Sequence, residues 1–173
     1  GYTYVPDDNF EQKLISLGYD NFIDDYVITA NINTITNLDV SNESIVDLTG
    51  IEDFLALNTL DCQNNQIVSL DLTNNISLTE LLSQNNSLTS LNIKNGNNTI
   101  ITSFNSTGNN NLFCIKVDDP SWSNTNWLNI DPQSSFDTDC NPDCTDPSNL
   151  SSINITNAEA DLLWTDNSNS NIN

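Results

Sequence analysis

The sequence contains no histidine and no arginine, and only three lysines stand against 24 acidic residues. Without histidine, neither a Ser-His-Asp nor a Cys-His catalytic arrangement can form, and a zinc site is disfavoured. The formal net charge of −21 repels phosphate backbones, so we expect no nucleic-acid partner. No apolar run approaches the ~18 residues of a spanning helix, so we do not expect the chain to cross a membrane.

Catalytic motifs are also missing. Only five glycines are present, and no glycine-rich phosphate loop, G-x-S-x-G or H-E-x-x-H motif occurs. Paired carboxylates could serve glycoside hydrolysis, but among 24 acids such pairs arise by chance. We therefore expect these residues to carry no enzyme activity.

What the chain does contain is a repeat. Apolar residues recur every 10 to 13 positions, at Ile28, Leu38, Leu48, Leu60, Leu70, Leu81, Leu91, Phe104 and Ile115. Two steps make about 21 residues, the length of a leucine-rich repeat. Each half-repeat reads L-x-L/C/S, which predicts a short strand with both apolar side chains inward. Because both halves carry it, we predict a mostly β leucine-rich-repeat solenoid with two parallel sheets and no helix between Ile28 and Val117.

Asparagines stand five places after the first apolar residue of several half-repeats. Their amides can bond the backbone groups that become free where the chain turns. We predict that these side chains form a ladder of buried, mutually bonded amides: Asn33, Asn65, Asn75, Asn86 and Asn109. The insertion at 95–98 is predicted to bulge outward.

The ends of the repeat array differ from its middle. Residues 1–27 form a predicted N-terminal cap with a helix from about Asp8 to Leu17, begun by a capping box of Asp8 and Glu11 and ended by Gly18. The solenoid covers 28–117, and residues 118–140 form a C-terminal cap. Cys114 and Cys140 are expected to form a disulfide across that cap.

The chain changes character again at 141–173. A linker there precedes two strand-like segments, which we interpret as the start of a β-sandwich that needs roughly 100 residues when complete. We therefore expect this sandwich to be incomplete within the sequence.

Two sets of residues are candidates for function. Polar or variable residues between the fixed apolar positions should point outward, and we expect the two sheet faces that carry them to be the binding surface: Asp61, Gln63, Asp71, Thr73, Leu82, Gln84, Asn92 and Lys94. Calcium is the one cofactor that the acidic clusters leave open. Its candidate ligands are Asp20, Asp24, Asp25, Asp118 and Asp119.

The cap string YVPDDNFE at 4–11, the segment LTGIEDF at 48–54 and the nested L-x-C-x-x-N and L-D-L-x-x-N halves carry a family resemblance. Together they resemble the secreted leucine-rich-repeat surface proteins of Bacteroidota, of the nested 10-plus-11-residue class. The resemblance covers roughly 2–140. The segment 144–164 resembles the opening of a fibronectin type III module.

The resemblance implies a secreted or cell-surface protein, often exported by the type IX secretion system. It implies a non-enzymatic adhesion module that binds protein or glycan at the cell surface, or an outer-membrane secretion or surface complex. Two alternatives remain open: a structural spacer or secretion cargo whose repeats carry no ligand, and an accessory domain of a secreted hydrolase.

Overall fold

The computed structural model describes residues 1–140, 150–153, 161–165 and 171–172. The chain forms two compact units, Gly1–Cys140 and Asn141–Asn173. The elements of the first unit are, in chain order, β1 (Tyr2–Tyr4), α1 (Asp8–Ser16), β2 (Tyr26–Ile28), α2 (Thr29–Ile32), β3 (Asn37–Asp39), β4 (Thr59–Asp61), β5 (Ser69–Asp71), β6 (Glu80–Leu82), β7 (Ser90–Asn92), β8 (Ser103–Asn105), β9 (Cys114–Lys116), α3 (Pro120–Asn126) and β10 (Ser135–Asp137).

Two parallel four-stranded sheets form the stack, which confirms the predicted architecture. The first sheet has the order β3-β4-β6-β8 and the second has the order β10-β9-β7-β5. In the first sheet Leu38, Leu60, Leu81 and Phe104 lie in register, and all four are buried. Each coil therefore buries its apolar edge against its neighbours, as a solenoid requires.

The N-cap of the N-terminal helix lies one residue before the predicted one. Asp7, not Asp8, is the N-cap, and its side chain accepts hydrogen bonds from the backbone N–H groups of Asn9 and Phe10. Glu11 does not complete a capping box, because its fully buried carboxylate accepts bonds from the backbone of 24–26 instead.

The parallel stack begins at Leu38 rather than Ile28. Ile28 lies in β2, which pairs antiparallel with β1, and its side chain is 42% exposed. The prediction that no helix occurs between Ile28 and Val117 is also wrong. The one-turn helix α2 follows directly, and single 3-10 turns occupy Ile51–Asp53 and Asn98–Ile100.

Aromatic residues and a disulfide close the other end of the stack. The predicted Cys114–Cys140 disulfide is confirmed. The ring of Trp127 stacks on Phe104 at a centroid distance of 4.5 Å, and its indole N–H donates to the carbonyl of Ile101. Trp127 is therefore part of the core.

The second unit contains three described strands: β11 (Leu150–Ile153), β12 (Asp161–Thr165) and β13 (Asn171–Ile172). They pair antiparallel in the order β11-β12-β13. The predicted linker at 141–147 lies outside the described residues. The fibronectin type III assignment stays a prediction.

Candidate binding surface

A groove of about 410 Å³ lies on the outer face of the first sheet. Because successive side chains of a strand alternate between faces, the residues that flank the buried leucines form two outward rows across the sheet. One row contains Asn37, Thr59, Glu80 and Ser103, and the other contains Asp39, Asp61, Leu82 and Asn105.

The end of α1 forms one wall of the groove with Leu17 and Tyr19. The helix stops at Gly18, whose φ is +81°. The N–H of Gly18 bonds the carbonyl of Ile15, and the N–H of Tyr19 bonds the carbonyl of Leu14. This Schellman arrangement ends the helix in a fixed direction. Leu17, which is 41% exposed, is thereby held beside the sheet.

The groove combines apolar contact area with negative charge. Three carboxylates line it, those of Asp39, Asp61 and Glu80, and no basic residue does. The backbone N–H and the hydroxyl of Ser41 lower the pKa of Asp39, so this carboxylate stays ionised at neutral pH. Leu82 is the one aliphatic side chain in the two outward rows. A half-buried leucine among acids suits a partner with both apolar and basic groups.

The eight predicted surface residues divide between the two sheets. Four belong to the first sheet and the turns after it: Asp61, Gln63, Leu82 and Gln84. The other four belong to the second sheet and its turns: Asp71, Thr73, Asn92 and Lys94. Sequence alternation finds the outward positions of both sheets, but it does not say which of the two faces has the groove, since both half-repeats share one pattern.

Asp71 and Thr73 line a separate depression, also about 410 Å³, at the edge of the second sheet. The preceding coil contributes Asp47 and Thr49 to it. No described strand pairs with the free edge of β5. The N–H and hydroxyl of Thr49 both bond the carboxylate of Asp47, so the chain turns there and does not continue as a strand.

Buried asparagines hold the coils together behind the first sheet. The Oδ1 atom of Asn65 accepts the N–H groups of Glu43 and Ile45, both at 3.0 Å. Its Nδ2 group donates to the carbonyls of Val40 at 2.8 Å and Cys62 at 3.0 Å. The half-buried Asn86 and the buried Asn109 make a similar set in the next two coils, in which Oδ1 accepts one N–H and Nδ2 donates to two carbonyls. Each of these amides therefore satisfies backbone groups of two adjacent coils.

The structure changes the ladder in three ways. The amides bond backbone groups of their own and adjacent coils, so the predicted amide-to-amide pairing is wrong. Asn33 is not part of it, because this residue is the C-cap of α2 and its backbone N–H bonds the carbonyl of Thr29. Asn75 instead donates to the carbonyls of Ile51 and Phe54, on the opposite side of the stack.

The insertion at 95–98 supplies a ladder member that the sequence pattern missed. Asn98 is only 2% exposed, donates to the carbonyl of Ile93 and accepts the N–H of Asp118, both at 2.6 Å. Only Gly96 and Asn97 are exposed, so the prediction of an outward bulge was wrong for the ends of the insertion. The longer step moves the asparagine from the expected position, 96, to 98.

Most of the predicted calcium ligands bond the backbone. Asp118 accepts the N–H groups of Gly96 and Asn98. Asp119 is the N-cap of α3, and Asp24 accepts the N–H of Tyr26. Asp20 has one buried carboxylate oxygen without a hydrogen-bond partner in the described chain.

The structure brings together a different acidic trio, Asp8, Glu11 and Asp25, whose oxygens lie within 4.8 Å of one another. Three backbone N–H groups already occupy the oxygens of the Glu11 carboxylate as hydrogen-bond donors. We therefore expect the midpoint of thermal unfolding in calcium to equal that in chelator within about 2 °C. A calcium-dependent rise of several degrees that Asp25→Asn abolishes would contradict this expectation.

Cys62 is the free cysteine of the described residues. Burial raises the pKa of its thiol, so it stays protonated and unreactive at neutral pH. Its side chain fills an inward position between Leu60 and the ladder, where Ser83 and Ser106 stand in the following coils. Its position indicates a packing role.

The comparisons with known proteins agree with this fold. Internalin J of Listeria monocytogenes serotype 4b (strain F2365) is 38% identical over 72 residues, which are 42% of this chain and 8% of that protein. The structure of the internalin InlF from Listeria monocytogenes strain 4b F2365 matches with a TM-score of 0.55 and 22% identity, covering 73% of this chain and 43% of that one. The functional domain of InlJ, which includes a cysteine ladder, matches with a TM-score of 0.48 and 26% identity, covering 69% and 35%.

Over those 72 residues this chain is thus similar to Internalin J, of which it spans only 8%, and it shares its fold with InlF. No protein-family model matches it. The Bacteroidota origin, the nested repeat class and the type IX route stay predictions. Among the described residues, no helix has the length and apolar character needed to cross a membrane.

Proposed function

We propose that the first unit is an extracellular, non-enzymatic protein-binding module whose contact surface is the outer face of the first sheet. The observation that carries the proposal is the groove of that sheet, where Leu17, Tyr19 and Leu82 lie beside three carboxylates. A rigid solenoid can present such a surface with little loss of conformational entropy. Similarity to Internalin J supports the cell-surface setting.

The partner should present basic groups around an apolar anchor. Opposite charges across an interface mainly raise the association rate, and this effect weakens with salt. Binding should therefore weaken between about 0.1 M and about 1 M salt, where the Debye length falls from about 10 to about 3 Å. A glycan without charge would bind with the same affinity at both concentrations.

Asp61 and Asp71 provide a matched pair of variants. Each stands between two inward residues, and the Oδ1 atom of each accepts the N–H two residues later. Asparagine keeps that acceptor and removes the charge. With Asp61→Asn combined with Leu82→Ala, we expect binding to an extracellular protein partner, found on a panel of purified proteins, to weaken by at least about tenfold. Asp71→Asn should leave binding unchanged.

Biolayer interferometry with the whole chain measures both variants. Equal losses from the two sheets would contradict the assignment of the surface to the first sheet. If no protein on the panel binds more weakly to the Asp61→Asn variant, the result would favour a spacer whose repeats bind no ligand.

A further inference from the structure

The N-terminal cap presents an aromatic face that the core does not use. In the pair formed by β1 and β2, Thr3 and Val27 point inward and are 3% and 0% exposed. The outward side chains, which we call the aromatic face, are Tyr2, Tyr4, Tyr26 and Ile28, with exposures of 73%, 49%, 48% and 42%. Tyr4 and Tyr26 stand opposite each other, with ring centroids 5.4 Å apart.

Exposed apolar side chains are concentrated in this part of the molecule. Of the 14 large hydrophobic side chains that are exposed among the described residues, seven lie within residues 1–28. Besides the aromatic face, this segment exposes Phe22 and Ile23, which are 72% and 52% exposed. They directly precede Asp24 and Asp25 in the chain. On the aromatic face itself Tyr4 and Tyr26 are in contact and Tyr2 is paired with Ile28, and exposed apolar side chains that lie together mark an interaction site.

Negative charge borders the aromatic face. Residues 1–28 contain six acidic residues and one lysine, Lys13, and that lysine is paired with Glu43 at 2.6 Å. Asp24 and Asp25 directly precede β2, and both are exposed. The carbonyl of Asp25 accepts the N–H of Val5, which fixes the acidic turn against the end of β1.

We propose that the aromatic face is a second docking surface and that it binds an arginine-bearing segment of a partner protein. A guanidinium stacks on tyrosine rings and pairs with carboxylates at the same time. A neutral glycan would use the rings but not the charges. A second copy of this chain would bring another net charge of −21 against the first, which disfavours self-association.

Fluorine NMR of the chain labelled with fluorotyrosine tests the proposal and separates it from the first-sheet surface. The chain has four tyrosines: three on the aromatic face, and Tyr19, which lines the first-sheet groove. On titration with a short peptide of alternating arginine and serine, the signals of Tyr2, Tyr4 and Tyr26 should shift together. The signal of Tyr19 should remain in place. A glutamate–serine peptide should move none of the four.

Two variants measure the contribution of each part of the surface. Asp24→Asn with Asp25→Asn preserves the fold, because asparagine keeps the acceptor for the N–H of Tyr26 and tolerates the φ of +66° at position 25. This double variant should lower the affinity for the arginine–serine peptide by about fivefold. Tyr2→Ser should lower the same affinity by about threefold. The control Phe113→Ser, at a side chain 63% exposed on β9's side of the stack, should have no effect.

Four results would overturn the proposal. The first is that the tyrosine signals of the aromatic face shift with uncharged oligosaccharides but not with the arginine peptide. The second is that these signals shift with protein concentration alone, without added peptide. Unchanged affinity in the Asp24→Asn, Asp25→Asn variant would remove the role of charge. A shift of Tyr19 alone would place the peptide in the first-sheet groove, which supports the function proposed above and refutes the second surface.

Discussion

Asn65→Ala should lower the free energy of unfolding by about 4 kcal/mol. The substitution leaves three backbone groups of the adjacent coil without their partner: the N–H groups of Glu43 and Ile45 and the carbonyl of Val40. The carbonyl of Cys62 loses one of its two bonds and keeps the one from the Nδ2 group of Asn86. Water cannot replace the amide fully, because Asn65 is only 8% exposed. Each buried group left unpaired costs about 1–3 kcal/mol.

Urea unfolding followed by tryptophan fluorescence measures this loss. Asn110→Ala is the matched control, since Asn110 is exposed and neighbours the ladder residue Asn109; its effect should stay within about 0.5 kcal/mol. If Asn65→Ala were as mild as Asn110→Ala, the ladder would not hold the coils together.

Leu81→Ala should destabilise the chain by about 3 kcal/mol. Leu81 is fully buried in the middle of the first sheet, in register with Leu60 on one side and Phe104 on the other. Removing its side chain opens a cavity between adjacent coils. In a repeat protein each coil is stabilised only by its neighbours. The defect therefore weakens the coupling between the two halves of the stack, and unfolding should also become less cooperative.

We expect the opposite pattern of stability and binding for the neighbouring residue, Leu82. Leu82 points outward into the groove, so Leu82→Ala should cost less than about 1 kcal/mol of stability while weakening partner binding. Leu81→Ala should leave binding intact at a temperature where the variant is folded. Loss of binding without loss of stability in Leu81→Ala would contradict the assigned orientations of the two side chains.

The spacing of the leucines was enough to predict the coils and their two sheets. Burial of Leu38, Leu60 and Leu81 follows from the alternation of side chains along a strand, which is a local property. The ends were harder because tertiary contacts decide them. Ile28 fits the repeat pattern, but its strand pairs antiparallel with β1, and its side chain faces outward.

The candidate surface could be predicted only in part. Alternation identified Asp61 and Leu82 as outward residues, but not which of the two sheet faces has the groove. Leu17 and Tyr19 were missed, because their place in the groove depends on how α1 ends and packs beside the first sheet. The aromatic face was missed for a similar reason, since Tyr4 and Tyr26 meet only when distant strands pair.

Site-specific photo-crosslinking tests the central claim most directly. A photoreactive residue is placed at position 61 of the first sheet or at position 71 of the second, in the whole chain, and exposed to the partner found on the protein panel. We predict a crosslink from position 61 and none from position 71. A crosslink from position 71 alone would show that the partner binds the other sheet.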